Sequence, residues 1–213
     1  SLYDNQLSGS IPAQLSGMSS LEWLYFDANQ LSGSLPPELG TLTNLKALSV
    51  GGNQLSGNIP PELGDLINLQ ELELASNYFS GGIPSALGNL TNLNILHLYY
   101  NLLEGDIPDT LVYLVNLYDP GEYFGGDGLS LDYNLLNVPP GYPDPGNPLQ
   151  VFLSQKDPDW QLYQGFEQVI GAGAASSPRW TAAPTLSSPR ARWLVIPPLL
   201  SCRGRRPSTL MVL

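Results

Sequence analysis

The chain has 213 residues, 42% hydrophobic and 13% charged, with 22 Gly and 20 Pro. This is room for one elongated domain and a tail, with too many turn formers for long helices. All 19 acidic residues lie at or before Glu167, beside only Lys46 and Lys156, and every Arg lies at or after Arg179. The acidic part excludes nucleic acid as its partner. A single Cys, Cys202, excludes an internal disulfide, and no run reaches the roughly 18 apolar residues of a membrane span.

The array opens in mid-pattern. Ser1-Leu2-Tyr3 reads as the second half of a strand, so the chain is expected to be a piece of a longer array. Asn5, Asn29, Asn53, Asn77 and Asn101 then recur every 24 residues. Each opens a phrase such as NQLSGNIPPELGDLINLQELELAS. Such self-similarity marks a repeat architecture of about five to six units over residues 1–138. Within each unit, L-x-x-L-x-L (Leu69, Leu72, Leu74) ends in the alternation of a short strand with one buried face. The Asn that follows is predicted to bond backbone groups, building a ladder inside the stack. Gly33, Gly57 and Gly81 allow a left-handed or crowded backbone. Ile11-Pro12, Ile59-Pro60, Ile83-Pro84 and Ile107-Pro108 bury one apolar residue and stiffen the return. The P-x-x-L-G-x-L stretch fits a 3-10 turn on the convex side. No unit can bury its apolar face alone, so stacking builds the core.

The phrase LxxLxxLxLxxNxLxGxIPxxLGxL resembles the plant-type leucine-rich repeats of receptor-kinase ectodomains and polygalacturonase-inhibiting proteins, which also occur in secreted bacterial proteins. The resemblance implies a leucine-rich-repeat solenoid of the α/β horseshoe class. It implies a parallel sheet on the concave face, loops and 3-10 turns on the convex face, and a concave surface that binds peptides, proteins or glycans. Two departures stand out. There is no Cys before Cys202, and the one N-glycosylation sequon is Asn89-Leu90-Thr91. The stretch LDYNLLNVPPGYPDPGNPLQVFLSQKDPDWQ resembles the end cap of bacterial repeat proteins. A secreted or cell-surface bacterial protein is therefore expected.

A nine-residue Gly-rich, acidic insert near 119–128 interrupts the period, which resumes at Asn134. A cap is predicted over 139–165, with Asn147 as N-cap and Pro148 at the first helical position. Leu149, Phe152, Leu153 and Trp160 would cover the last repeat. Residues 166–213 lose the repeat and read as a disordered Pro/Ala/Ser/Arg tail. The abrupt change of charge there fits translation in a shifted frame.

Residues between the strand leucines point to the concave side. They form columns: Trp23, Ala47, Glu71, Ile95; then Tyr25, Ser49, Glu73, His97, Ser130; then Tyr3, Asp27, Gly51, Ala75, Tyr99, Asp132; then Asp4, Ala28, Gly52, Ser76, Tyr100, Tyr133. Trp23, Tyr25 and Asp27 make one aromatic–acidic patch. His97, Tyr99, Tyr100 and Tyr133 make another, with Glu71 and Glu73 between and Asp132 alongside. Exposed aromatics are favoured interface anchors, so these ten residues are the candidate binding set. Ser130, His97 and Glu73 share a column and superficially suggest a catalytic triad. Parallel side chains on an open sheet, with no evident oxyanion hole, argue against it. His97 with Glu73 is too small a set for a metal. No catalytic residue, metal or cofactor is expected. The favoured reading is a binding module for a protein, peptide or glycan. The alternatives are a structural spacer in a surface stalk and an inhibitor of polysaccharide-degrading enzymes.

Overall fold

A computed structural model describes residues 1–119, 127–139, 142–158, 160–164, 168–169 and 179–180. The chain divides into two units, Ser1–Phe166 and Glu167–Leu213. The 120–126 part of the insert, and most of the predicted tail, lie outside the described residues.

In chain order the strands of the first unit are β1 (Ser8–Gly9), β2 (Trp23–Tyr25), β3 (Gln30–Gly33), β4 (Ala47–Ser49), β5 (Gln54–Asn58) and β6 (Glu71–Glu73). They continue as β7 (Tyr78–Gly81), β8 (Ile95–His97), β9 (Leu102–Gly105), β10 (Leu129–Ser130) and β11 (Leu135–Leu136). The even strands form one parallel sheet, β2-β4-β6-β8-β10, and the odd strands a second, β1-β3-β5-β7-β9-β11. Five-residue 3-10 turns link them at Ala13–Gly17, Pro37–Thr41, Pro61–Asp65, Ser85–Asn89 and Asp109–Tyr113. The first sheet and the 3-10 turns match the expectation. The second sheet replaces an expected stretch of loop. Its cause is local: Leu31, Leu55, Phe79 and Leu103 turn inward between less buried neighbours, which pair with the next repeat.

The core is one continuous stack. Leu48, Leu72 and Leu96 are directly in register across β4, β6 and β8, and all are fully buried. The Ile-Pro isoleucines are buried with them, from Ile59 at 1% exposed to Ile107 at 8%. The asparagine ladder is complete from Asn29 through Asn53, Asn77, Asn101 and Asn134. In each rung the amide carbonyl accepts from a backbone N–H of the preceding repeat, as Asn77 does from Leu55 at 3.0 Å. Its NH2 donates to carbonyls of both repeats, for Asn77 those of Val50, Leu74 and Ala75. A second, exposed ladder was not foreseen: Asn44, Asn68, Asn92 and Asn116 each donate to a carbonyl 25 residues earlier.

Gly40, Gly64 and Gly88 sit where successive 3-10 turns touch. A Cβ on Gly64 would lie 2.4 Å from the Ala86 carbonyl oxygen, and one on Gly88 2.4 Å from that of Thr110. The equivalent residue in the first turn is Ser16, so that turn yields to a side chain; an interior turn is pressed from both sides. Gly64→Ala is expected to cost about 1–3 kcal/mol through forced separation of neighbouring turns. Urea unfolding of the variant measures it, and a loss below the scatter of the measurement would show that interior turns also yield.

The end of the array is closed by α1 (Pro148–Lys156). Asn147 caps it by accepting from the N–H groups of Leu149 and Gln150, with Pro148 in the first turn. Leu149, Leu153 and Trp160 are buried, and Phe152 packs against the core. The Trp160 indole donates to the Tyr142 hydroxyl at 3.1 Å. Gln164 then does what the next ladder asparagine would do. Its Oε1 accepts from Leu136 N and its Nε2 donates to Leu131 O, as Asn134 does for Leu103 and Leu98. The buried Asp157 carboxylate accepts from Leu131 N at 2.7 Å, replacing the carbonyl of an absent strand. The backbone donors of Leu131 and Leu136 are thereby supplied at the last rung, as burial demands. Lys156 fastens the start of the insert through the Leu117 carbonyl and the Asp119 carboxylate.

In the second unit, β12 (Gln168–Val169) pairs antiparallel with β13 (Arg179–Trp180).

Candidate functional site

The first sheet places the predicted columns in exact register. Trp23 pairs with Ala47 and Ala47 with Glu71; Tyr25 pairs with Ser49, Ser49 with Glu73, Glu73 with His97, and His97 with Ser130. Parallel strands lie about 4.8 Å apart, so side chains one repeat apart touch.

The register joins the two expected patches through the residues between them. The Tyr25 hydroxyl donates to Glu71 Oε2 at 3.3 Å, reaching across the small Ala47 and Ser49. Asp27 Oδ1 accepts from the Ser49 hydroxyl and from Gly51 N. Glu73 Oε1 accepts from Ala75 N at 3.0 Å, and its Oε2 meets His97 Nδ1 at 2.5 Å. From His97 an aromatic run continues: Tyr99 edge-on at 5.7 Å, Tyr100 edge-on to Tyr99 at 5.5 Å, and Tyr133 stacked on Tyr100 at 4.2 Å. Asp132 accepts from the Ser130 hydroxyl at 3.2 Å. Trp23 stands apart from this network: it is 54% exposed, and the Lys46 ammonium covers its ring at 5.1 Å while pairing with Glu22. Lys46, Ser49 and Gly51 take part in this face although none belongs to the ten-residue candidate set. The only available signal was that small residues occupy a column otherwise filled by large ones.

Asp27 and Glu73 flank Gly51. A Cβ on Gly51 would lie 3.3 Å from both Asp27 Oδ1 and Glu73 Oε1. The absent side chain leaves a shallow depression of about 270 Å³, floored by Gly51 and Ala75 and walled by Asp27, Glu73, Tyr3 and Tyr99. Burial pushes the Asp27 carboxyl up; hydrogen bonds from Ser49 and Gly51 partly offset this, and the charge of Glu73 adds to it. Burial likewise raises Glu71, against the hydrogen bond from Tyr25. Tyr99 is pushed up to about 12, by burial first and by Glu73 next, so its hydroxyl stays protonated at any physiological pH.

The fourth column holds a feature the residue types conceal. Asp4, Ala28, Ser76, Tyr100 and Tyr133 all have φ between 52° and 56°, and the remaining residue of the column, Gly52, has φ 64°. Non-glycine residues avoid this left-handed region at a cost of order 1 kcal/mol each. Each stands immediately before a ladder asparagine, whose NH2 bonds the carbonyls two and three residues back and holds the turn. Tyr100 and Tyr133 are thus fixed side by side by the ladder beneath them.

The triad-like column does not form a triad. His97 Nδ1 meets Glu73, but its Nε2 meets the Asp127 carbonyl and not Ser130, whose hydroxyl donates to Asp132. Among the described residues no helix is long and apolar enough to cross a membrane.

A stack of parallel strands, 3-10 turns and an internal asparagine ladder on a 24-residue period defines a leucine-rich-repeat solenoid. The chain belongs to the leucine-rich-repeat family, and the Leucine Rich Repeat signature matches residues 20–42, 44–66 and 68–90. It is similar to the plant peptide hormone receptor RGFR1, solved with RGF2: 36% identity over 62% of this chain and 20% of that one, TM-score 0.57. It is also similar to a chain of the BIR3–SERK2 complex from Arabidopsis thaliana: 38% identity over 65% of this chain and 69% of that one, TM-score 0.54. A plant ice-binding protein is 34% identical over 63% of this chain and 41% of its own, TM-score 0.55. The chain spans only about a fifth of the length of the hormone receptor. A search of curated protein sequences found no match.

Proposed function

We propose that this chain is a protein- or peptide-binding module of a secreted or cell-surface protein, and that its concave face takes a ligand carrying a cationic group. The carrying observation is the depression over Gly51. Two carboxylates converge there, Asp27 raised by burial and by the charge of Glu73, beside a half-buried Tyr99. A cation placed between them relieves their mutual repulsion, and the Tyr99 ring offers it a π face. The solved relatives support the class of activity: one holds a peptide hormone and another a protein partner. The reading as a bacterial protein is supported by the end-cap sequence together with the absence of Cys before Cys202 and the single sequon.

The experiment is selection of a random peptide display library on the immobilised protein. Enriched peptides are expected to carry Lys or Arg, to bind at least tenfold more weakly to Asp27→Asn and Tyr99→Ala, and to weaken with salt. Enrichment of peptides that ignore both substitutions would move the site off this face. Failure of any library, with every concave substitution silent, would leave the spacer reading. The stacked pair Tyr100–Tyr133 favours a second reading, stacking on a sugar ring. A glycan array read against Tyr133→Ala tests it, and equal binding by both proteins rejects it.

A further inference from the structure

We propose that His97 is a built-in cation of this face: doubly protonated, it bridges Glu73 to the backbone at Asp127, and its deprotonation frees Glu73 for the positive group of a ligand. The inference rests on the reading of the face as a site for a cationic ligand.

The geometry carries it. His97 Nδ1 lies 2.5 Å from Glu73 Oε2 and Nε2 lies 2.8 Å from the Asp127 carbonyl oxygen. A carbonyl only accepts, and so does an ionised carboxylate. Each ring nitrogen must then donate, which the imidazolium does and neither neutral tautomer can. His97 is 8% exposed, so a neutral ring would leave one half-buried acceptor without its bond.

The charged and titratable groups around it agree. From β6 come Glu73 in contact and Glu71 beside it; the Tyr99 ring packs 5.7 Å away; the segment before β10 presents the Asp127 carbonyl. From β10, Ser130 turns its hydroxyl to Asp132. Burial opposes the charge on His97. The hydrogen bond and charge of Glu73, the Asp127 carbonyl and the charge of Glu71 together outweigh it and raise the ring above the usual histidine range. A raised value fixes the sign. The bridge is fully formed below the ordinary histidine pKa of about 6.5 and is lost as pH rises through the higher value of His97 itself.

Loss of the proton changes the site in a defined way. Glu73 Oε1 keeps its bond from Ala75 N, so the carboxylate stays in place beside Gly51. Its Oε2 loses the internal cation and becomes an unneutralised acceptor at the edge of the depression. His97 and an external cation thus compete for one carboxylate, and the face binds cations more tightly as pH rises. The neutral ring keeps one N–H, held by the Glu73 carboxylate, so the bond that is lost is the one to the Asp127 carbonyl. Its neighbour Gly128 accepts from Leu96 N at 2.7 Å, so that amide reports the loosening.

His97 is the single histidine of the chain, so its ring resonances need no assignment. In the whole chain, long-range proton–nitrogen NMR at pH 6 is expected to show both ring nitrogens protonated, with a titration midpoint above about 6.5. Glu73→Gln is expected to lower the midpoint by about one unit or more. Hydrogen exchange at Leu96, corrected for its intrinsic pH dependence, is expected to quicken on the order of tenfold above the midpoint. A midpoint at or below that of free histidine, or one neutral tautomer at pH 6, overturns the bridge. The competition is read with tetra-arginine, whose charge does not change over this range. Its affinity should rise several-fold across the His97 midpoint in the natural protein and stay flat in His97→Gln, checked for folding by circular dichroism. If His97 titrates as stated but tetra-arginine does not bind, the cationic-ligand reading falls and the bridge stands. If it binds with the same affinity on both sides of the midpoint, the competition falls.

Discussion

Asn77→Ala is expected to destabilise the solenoid by about 3–5 kcal/mol, while Asn68→Ala costs less than about 1 kcal/mol. Both residues are asparagines, nine positions apart, that bond backbone more than 20 residues earlier. They differ in burial. Asn77 is 2% exposed and makes four bonds, accepting from Leu55 N and donating to Val50, Leu74 and Ala75. Its removal strands the Leu55 N–H where water cannot reach, which alone costs about 1–3 kcal/mol. It also withdraws the donor that holds Ser76 in its left-handed turn. Asn68 bonds the Thr43 carbonyl at the surface, where water replaces it. Urea unfolding of both variants decides the matter, and equal losses would show that the internal ladder is not a principal source of stability. Against a typical total of 5–15 kcal/mol, the Asn77 loss brings the array near its threshold.

Leu72→Ala is expected to cost about 4–5 kcal/mol, the upper part of the range for such truncations. Leu72 is fully buried in the middle of the first sheet, in register with Leu48 and Leu96, which are fully buried too. The cavity can close only if β4 or β8 moves, and each is tied to β6 by a ladder of backbone bonds. Leu24 on β2 holds the equivalent position with 8% exposure and strand pairing to β4 on one side. Leu24→Ala should therefore cost less, about 2–3 kcal/mol, because the site collapses more readily. Thermal unfolding of the pair tests the ranking, and a Leu24 loss equal to that of Leu72 would contradict it.

Most of the fold was legible because one repeat carries its own instructions. The strand leucines, the Ile-Pro return, the 3-10 turns and the buried asparagines all follow from a 24-residue period in which each position meets the same surroundings five times. The cap helix was legible from Asn147-Pro148, a local signal. The second sheet was not, because the Gln, Ser and Gly residues of β3 and β5 carry no strong strand preference; pairing with the next repeat decides it. The left-handed column was equally hidden, since Ala28, Ser76, Tyr100 and Tyr133 do not announce such a backbone.

Of the candidate site, the columns came from the sequence and the connections did not. Periodicity alone placed Glu73 beside His97 and Tyr25 beside Ser49. It could not show that Tyr25 spans to Glu71, that Lys46 draws Trp23 out of the network, or that Gly51 opens a depression between Asp27 and Glu73. The links from His97 to Asp127, and from Gln164 to Leu136 and Leu131, break the period altogether. They join residues 28 to 33 positions apart across an insert or a cap. The sequence by itself determined which residues face inward, because burial repeats with the period. Only the tertiary structure decided which polar groups meet, because that depends on side-chain reach between elements that share no period.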